Sequence, residues 1–322
     1  MGFRKPEERK QGLKILAYGE NNAGKSLFAL SFPSNGIIDS ESKIGVYEND
    51  PEYKDNIAGI ADTSDYFETL NLAEDVVSNP DTYKTFTIDS YTNIYNGMQV
   101  AAMENEENRA RKKGGNVDDA TVSQRGWGKV KLNTIRFDGY IAQASAKGIT
   151  VIAVAHKDDI NKEVNGKQVK IGEKPSLRKN AEHTFDVVLR FFKEKDIATN
   201  EYKFYVEVEK DTTKTHKIGT KIENATYELF KDYIEKNNKG KTLETKYDKQ
   251  VESNINSMEQ EQESHDQVVA EFKTLFAEAT KKDSSNKEVI ANVMKEKGVV
   301  KYTDPTKTTE LKEVIEFIKG LA

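Results

Sequence analysis

The sequence predicts an α/β core with a mostly parallel sheet, followed by a polar linker and a small α-helical domain. Strand-like and helix-like segments alternate over residues 12–236, as a parallel sheet with crossover helices requires. Few apolar residues occur between 238 and 264, and from 265 onward apolar residues recur at helical spacing. We therefore predict a core over 1–237, a flexible polar linker over 238–264 and a small helical C-terminal domain over 265–322.

The elements of the core follow from local sequence signals. Gly148 stands after a long helix-like segment, where a helix C-cap is expected. Asn165-Gly166 separates two short β-rich runs and predicts a hairpin with a tight turn. The predicted strands span 13–18, 36–40, 44–47, 84–89, 149–155, 185–192 and 202–209, and the predicted helices span 25–32, 65–78, 90–107, 123–147 and 223–237.

Composition narrows the class of protein. The chain of 322 residues carries a formal net charge of -5 and no cysteine, which excludes disulfides and thiolate metal sites. No apolar run approaches the length of a membrane helix and the N-terminal residues lack a signal-peptide core. We therefore expect a cytoplasmic protein with no membrane partner. The acidic balance argues against coating nucleic acid through bulk charge, although it leaves room for local basic loops.

Residues 19–26 match the complete phosphate-binding pattern G-x-x-x-x-G-K-[ST]. A predicted strand precedes them and a predicted helix follows them, which is the context that such a loop needs. The backbone N–H groups of this loop surround phosphates, its lysine reaches the β- and γ-phosphates, and its serine hydroxyl binds Mg²⁺. The predicted nucleotide-binding residues are Gly19, Glu20, Asn21, Asn22, Ala23, Gly24, Lys25, Ser26 and Leu27.

Three further predicted strands end in polar residues that would complete the site. Asp89 is the candidate second Mg²⁺ ligand beside Ser26, and the alternative is a helix N-cap aspartate. Glu41, two residues after Asp39, is the candidate that orients or deprotonates the attacking water, and the alternative is an exposed acidic turn. His156 is a candidate γ-phosphate sensor or simply a histidine hydrogen-bonded at a strand end.

Two basic segments are candidates for binding a nucleic-acid backbone. The first, residues 109–113, is followed by Gly114-Gly115, and paired glycines suit a mobile cationic segment. The second, residues 157–179, overlaps the predicted hairpin. Its charges are equally compatible with DNA contact and with simple exposure to solvent. The candidate DNA-binding residues are Arg109, Arg111, Lys112, Lys113, Arg125, Lys167, Lys170, Arg178 and Lys179.

The order of these motifs over 12–236 resembles the RecA/RadA recombinase core, and more closely the short RecA-like ATPases of bacteriophages that act as single-strand annealing proteins. The resemblance implies a RecA-like P-loop NTPase fold that uses ATP and Mg²⁺, with Lys25 and Glu41 as catalytic residues. It also implies that His156 binds near the nucleotide and relays its state to a second DNA-binding loop at 157–180, the first being 105–126.

The same resemblance has consequences for assembly. Relatives insert a basic group into the nucleotide site of a neighbouring subunit, and Lys210 matches the first position of that pair, while Thr212 departs from the second. Lys210 is therefore a third catalytic candidate. The resemblance implies a homo-oligomer, either a ring or a filament, that binds single-stranded DNA.

The leading prediction is a DNA-stimulated ATPase that anneals or exchanges single strands in phage homologous recombination, located in the host cytoplasm. One alternative is a RecA-fold helicase or motor. Another is a nucleotide-gated adaptor that recruits a replication factor or a single-strand-binding protein through the C-terminal tail.

Overall fold

The computed structural model describes the backbone of residues 6–242 and 247–321, together with their side chains except those of 247–264 and of Pro305. The chain forms two compact units, Met1–Thr245 and Lys246–Ala322. In the first unit the strands are β1 Lys14–Gly19, β2 Asn35–Asp39, β3 Ile57–Asp62, β4 Thr85–Asp89, β5 Thr150–Val164, β6 Lys167–Pro175, β7 Val187–Lys195, β8 Tyr202–Asp211 and β9 Lys221–Glu223. Its helices are α1 Lys25–Leu30, α2 Tyr66–Ser78, α3 Tyr91–Lys112, α4 Gln124–Ala146 and α5 Lys231–Asn237.

One mixed sheet organises the first unit. The strand order is β3-β2-β4-β5-β1-β7-β8-β9, and β6 pairs with β5 outside this path. The first six strands of this order run parallel, whereas β8, β9 and β6 pair antiparallel with their neighbours. The mostly parallel sheet with covering helices confirms the predicted α/β class.

Helices cover both faces of the sheet, so the central strands are buried on both sides. In β1, Leu16 and Tyr18 lie in one apolar cluster with residues of α2, α3 and α4, while Ile15 and Ala17 lie in a second cluster with residues of α1 and α5. This explains why β1 shows a continuous apolar run rather than an alternating one.

The parallel strands bring the predicted site residues to a single edge of the sheet. Gly19 is opposite His156 in the β1–β5 register, and Asp39 is opposite Asp89 in the β2–β4 register. The strands that lead to Asp89 and Glu41 are not direct neighbours of the phosphate-loop strand, because β5 lies between β1 and β4, and β2 lies beyond β4. The carboxyl ends still converge because all four strands are parallel.

Several predicted elements need correction. Residues Ile44–Tyr47 form a 3-10 helix rather than a strand, since the Asp39 carboxylate accepts the Ile44 N–H at 2.6 Å and closes a turn. The edge strand β3 was not predicted, because its Gly- and Ala-containing sequence has no clear alternation. The predicted helix 223–237 is divided into β9, a 3-10 turn at Tyr227–Leu229 and α5.

The second unit consists of α6 Tyr247–Lys282, α7 Asn286–Glu296 and α8 Thr308–Lys319. Its core joins Phe272 of α6, Ile290 of α7 and Val314 of α8, in the range where the sequence shows apolar residues at helical spacing. Helix α6 begins within the range 238–264 that the sequence assigns to a linker, and 243–246 lie outside the described residues. The low apolar content of this range argues against a core of its own, but its many Glu, Gln and Lys residues are compatible with a helix.

Candidate nucleotide site

The phosphate-binding loop joins β1 to α1 as predicted from the sequence. Gly19 closes β1 with φ +143°, and an added Cβ would lie 2.0 Å from the carbonyl oxygen of Phe191 on β7. Gly24 precedes α1 with φ +94°. Both positions therefore need glycine, one for close approach to the neighbouring strand and both for backbone conformation. The loop between them carries Glu20–Ala23.

Lys25 is folded back over this loop. Its Nζ donates to the carbonyl oxygens of Glu20 at 2.6 Å and Gly19 at 3.3 Å. The side chain is largely buried, and this burial lowers the pKa of its ammonium. A desolvated cation held only by two carbonyls is well suited to pair with an incoming phosphate.

Ser26 and Asp89 form the candidate metal site. The Ser26 hydroxyl donates to Asp89 Oδ2 at 2.5 Å. Burial raises the pKa of Asp89 to about 6; the nearby carboxylates of Glu41 and Asp39 also raise it, while the Ser26 hydrogen bond lowers it. A hydroxyl and a carboxylate fit Mg²⁺, which prefers oxygen ligands and takes few from protein beside phosphates. The described residues contain no cluster of three His, Cys, Asp or Glu that could hold a metal alone.

Glu41 lies at the same edge of the sheet and is held by two donors. Its Oε1 is 2.5 Å from His156 Nε2, and its Oε2 is 2.5 Å from Lys43 Nζ. Burial disfavours the charged form of Glu41, but the hydrogen bonds from Lys43 and His156 outweigh it and lower the pKa of Glu41 to about 2. In the ligand-free chain this carboxylate is therefore ionised and a weak base.

Asp39 supports the loop that carries Glu41. It is buried, its Oδ1 accepts the Glu41 N–H at 3.0 Å, and its Oδ2 accepts the Ile44 N–H at 2.6 Å. Ser40 Oγ accepts the Ser90 N–H at 2.8 Å and so ties this loop to the end of β4. Asp39 therefore fixes the shape of the loop, with both carboxylate oxygens bound to main-chain groups.

His156 stands where the buried part of β5 ends and an exposed hairpin begins. Its main-chain N–H donates to Thr92 Oγ1 at 3.0 Å, and its main-chain carbonyl accepts the Ser176 N–H at 2.9 Å. The hairpin pairs Lys157–Val164 with Lys167–Pro175, and its turn has positive φ at Asn165 and Gly166, as the sequence predicts. A single residue thus contacts Glu41 through its side chain and forms the base of the hairpin through its backbone.

Acidic residues neutralise part of the hairpin's charge near this base. Glu173 accepts hydrogen bonds from Lys157, from Lys170 at 2.7 Å and from Arg190 at 3.3 Å. Lys157 also lies 3.9 Å from Glu20 of the phosphate-binding loop. Further out, the predicted DNA-binding residue Lys167 is exposed and has no ion pair among the described residues. The cationic surface of the hairpin is therefore its outer half.

The first basic segment is helical rather than a loop, because α3 continues to Lys112. Arg109 pairs with Glu106 at 2.8 Å and Arg111 with Glu107 at 3.4 Å, while Lys112 and Lys113 are exposed. A cavity of about 430 Å³ lies between the end of α3 and the start of α4, lined by Glu106, Arg109, Ala110, Lys113, Ala120, Thr121, Ser123 and Arg125.

Two predicted residues are engaged elsewhere. Arg178 pairs with Asp138 of α4 and donates to Thr184 Oγ1 at 3.3 Å, so it packs against the core, while the neighbouring Lys179 is exposed. Lys210 lies opposite Val188, at the end of the sheet remote from the phosphate-binding loop, and its Nζ donates to the carbonyls of Phe185 at 2.5 Å and Glu182 at 3.0 Å. Lys210 therefore cannot reach the nucleotide site of its own chain.

The structure brings together the phosphate-binding loop, Asp89, Glu41 and His156, and it adds Lys43, which the sequence analysis did not single out. The only local feature of the sequence that points to Lys43 is its position two residues after the candidate water-activating glutamate.

The phosphate-binding loop on a mostly parallel sheet, with an acidic residue at the end of β4, defines the α/β fold of a P-loop NTPase. Residues 11–222 match the family described as AAA domain. Since this match covers more than half of the chain, the protein belongs to that family.

Individual proteins add no functional information to this family match. None of the curated proteins matches the chain. A KaiC-like protein from the hyperthermophilic archaeon Pyrococcus horikoshii OT3 is similar in structure, with a TM-score of 0.40 and 16% sequence identity over 67% of this chain and 86% of that chain. A likeness at this level supports no functional comparison. In the described part of the chain, no helix has both the length and the apolar character needed to span a membrane.

Proposed function

We propose that this chain is a DNA-stimulated ATPase that binds single-stranded DNA and promotes annealing or strand exchange in phage homologous recombination. The observation that carries the proposal is the position of His156. Its imidazole contacts Glu41, the candidate water-activating residue, and the exposed lysine-bearing hairpin starts at its backbone. A change at the nucleotide site could therefore reach the candidate DNA-binding element through the Glu41–His156 hydrogen bond and the backbone of His156.

The residues at the sheet edge support ATP hydrolysis. Lys25 has a desolvated ammonium for the β- and γ-phosphates. Glu41 is a carboxylate at the position from which a water can be oriented or deprotonated, once its own hydrogen bonds are released. Mg²⁺ held by Ser26 and Asp89 would supply neutralisation of phosphate charge.

The basic surfaces support binding to a polyanion. The outer hairpin offers Lys162 and Lys167, and the end of α3 offers Lys112 and Lys113. These cations would follow a phosphate backbone largely without sequence preference, and their affinity should fall steeply with salt. The acidic net charge of -5 makes such local surfaces necessary for DNA binding.

Self-association belongs to the same proposal. Lys210 lies at the end of the sheet opposite Lys25, so any contact it makes with a nucleotide would be with that of a neighbouring subunit. Such a contact requires Lys210 to leave the carbonyls of Phe185 and Glu182. A ring and a filament both satisfy this arrangement.

The test is a strand-annealing assay. Complementary labelled oligonucleotides are mixed with the protein, with and without ATP and Mg²⁺, and pairing is followed by energy transfer. We expect the protein to bind the single strands and to accelerate pairing. If it does neither under any nucleotide condition, the proposed function is wrong.

A second candidate function is a nucleotide-gated adaptor, favoured by the separate compact unit at Lys246–Ala322. Here the tail recruits a single-strand-binding protein or another replication factor. Removing 246–322 separates the candidates, because an annealing core keeps DNA pairing without the tail, whereas an adaptor loses its function.

A further inference from the structure

Lys43 is placed at the nucleotide site by the loop that follows β2. Ser42 has φ +52°, which turns the chain back on itself between Glu41 and Lys43. The buried Asp39 fixes this turn by accepting the N–H groups of Glu41 and Ile44. The two charged side chains are therefore held as a pair, with Lys43 Nζ 2.5 Å from Glu41 Oε2.

The charge of Lys43 is felt across the whole site. Burial is the main cause of the lowered pKa of Lys25, and the Lys43 ammonium lowers it further. The hydrogen bond to Glu41 is the main cause of the raised pKa of Lys43, and the carboxylates of Asp89 and Asp39 also raise it. The Lys43 side chain is 67% exposed, and among the described residues its ion pair is with Glu41 alone. A second, solvent-exposed cation thus lies within electrostatic range of the candidate phosphate-binding lysine.

We propose that Lys43 is a catalytic cation supplied in cis, which exchanges from Glu41 to the terminal phosphate when ATP binds. The proposal rests on ATP hydrolysis as the proposed reaction. A terminal phosphate carries more negative charge than one carboxylate and attracts the ammonium more strongly. The exchange places positive charge on the transferred group and at the same time releases one oxygen of Glu41 for the attacking water.

In this step the γ-phosphoryl group is transferred from ATP to water. The water oxygen attacks the γ-phosphorus, the bond between that phosphorus and the β–γ bridging oxygen breaks, and ADP leaves with the electron pair. The proton of the water passes to Glu41 and then to solvent. Lys43 is charged throughout and neither gains nor loses a proton.

Other cations near the loop are less suited to this role. Lys157 of β5 is bound to Glu173, and Nζ of Lys193 of β7 donates to the carbonyl of Asn21 at 3.3 Å. Lys210 lies at the remote end of the sheet. Lys43 is unlike them because its partner is the candidate water-activating residue itself.

The test compares Lys43→Met, Lys43→Arg and a matched control, Lys54→Met, which removes an exposed lysine eleven residues further along. ATP turnover is measured at saturating ATP and Mg²⁺, and the affinities for ADP and for the non-hydrolysable analogue AMP-PNP are measured by calorimetry. For Lys43→Met we expect turnover to fall about 100-fold and AMP-PNP affinity to fall, with ADP affinity unchanged. Lys43→Arg should keep more of both, and Lys54→Met should match wild type.

Two results would overturn the proposal. The first is that Lys43→Met keeps wild-type ATP turnover and a wild-type ratio of AMP-PNP to ADP affinity. This result would mean that Lys43 does not contact the terminal phosphate. A rise in turnover would mean that Lys43 only restrains Glu41. The affinity ratio needs no hydrolysis, so it decides the role of Lys43 even if wild type proves inactive as an ATPase, which would instead refute the proposed function.

Mixing variants tests action in cis. Lys43→Met and Lys25→Ala subunits are combined and turnover is measured. If Lys43 acts in its own subunit, the mixture is no more active than the two variants assayed separately. Recovery of activity would show that Lys43 acts on a neighbour's nucleotide and would refute action in cis.

Discussion

Asp89→Asn should stabilise the nucleotide-free protein even though it removes the candidate Mg²⁺ ligand. Asp89 is buried and 7% exposed, close to the carboxylates of Glu41 and Asp39. Its pKa rises from an ordinary value of 3.8 to about 6 in the folded chain, a shift of about two units. At about 1.4 kcal/mol per unit, the ionised carboxylate costs about 3 kcal/mol at neutral pH. An asparagine there still accepts from Ser26 and carries no charge.

The pH dependence of the stability difference shows whether the charge of Asp89 is its cause. Because the pKa of Asp89 is higher in the folded than in the unfolded chain, its unfavourable contribution is absent below about pH 4 and complete above about pH 6. Urea unfolding of wild type and Asp89→Asn is measured with EDTA at pH 5, 6 and 8, with the exposed Asp81→Asn as control. We expect the variant's advantage to grow with pH to about 2–3 kcal/mol. A destabilised variant, or an advantage that is independent of pH, would refute the reasoning.

Two further predictions concern the phosphate-binding loop and the hairpin. Gly19→Ala should lower the free energy of unfolding, measured in urea, by about 3 kcal/mol or more, since the added Cβ would lie 2.0 Å from the Phe191 carbonyl oxygen. Gly166→Ala, with φ +75° but open space around its Cβ, should lower it by only about 1 kcal/mol. Equal losses in the two variants would contradict the loop geometry. His156→Ala should lower the ratio of DNA-stimulated to basal ATP turnover about tenfold, at typical coupling energies, in a steady-state assay. A wild-type ratio would exclude the coupling role of His156.

The phosphate-binding loop was predictable because its signals are contiguous. Gly19, Gly24 and Lys25 lie within one short segment between a buried strand and a helix. Asp89 and Glu41 were also found from sequence, since carboxyl ends of parallel strands share one edge of the sheet. The order of those strands was not predictable, because an apolar run reports burial and carries no information on which strand is its neighbour.

Charged side chains on turns were the least predictable. Lys43 is an ordinary lysine in a polar turn by sequence, and only the bonds from Asp39 to the backbone show where that turn points. Arg178 is one of several basic residues in its segment, and its pairing with the distant Asp138 depends on how α4 packs. Such roles follow from contacts between residues far apart in the chain, which local pattern does not encode.

The most direct test of the central claim is ATP turnover with and without single-stranded DNA, in wild type and in Lys25→Ala, with Lys54→Met as a control for loss of a lysine. The proposed function predicts that single-stranded DNA stimulates turnover in wild type and in the control, and that Lys25→Ala has neither basal nor stimulated activity. Turnover that is the same with and without DNA in wild type would contradict a DNA-handling ATPase.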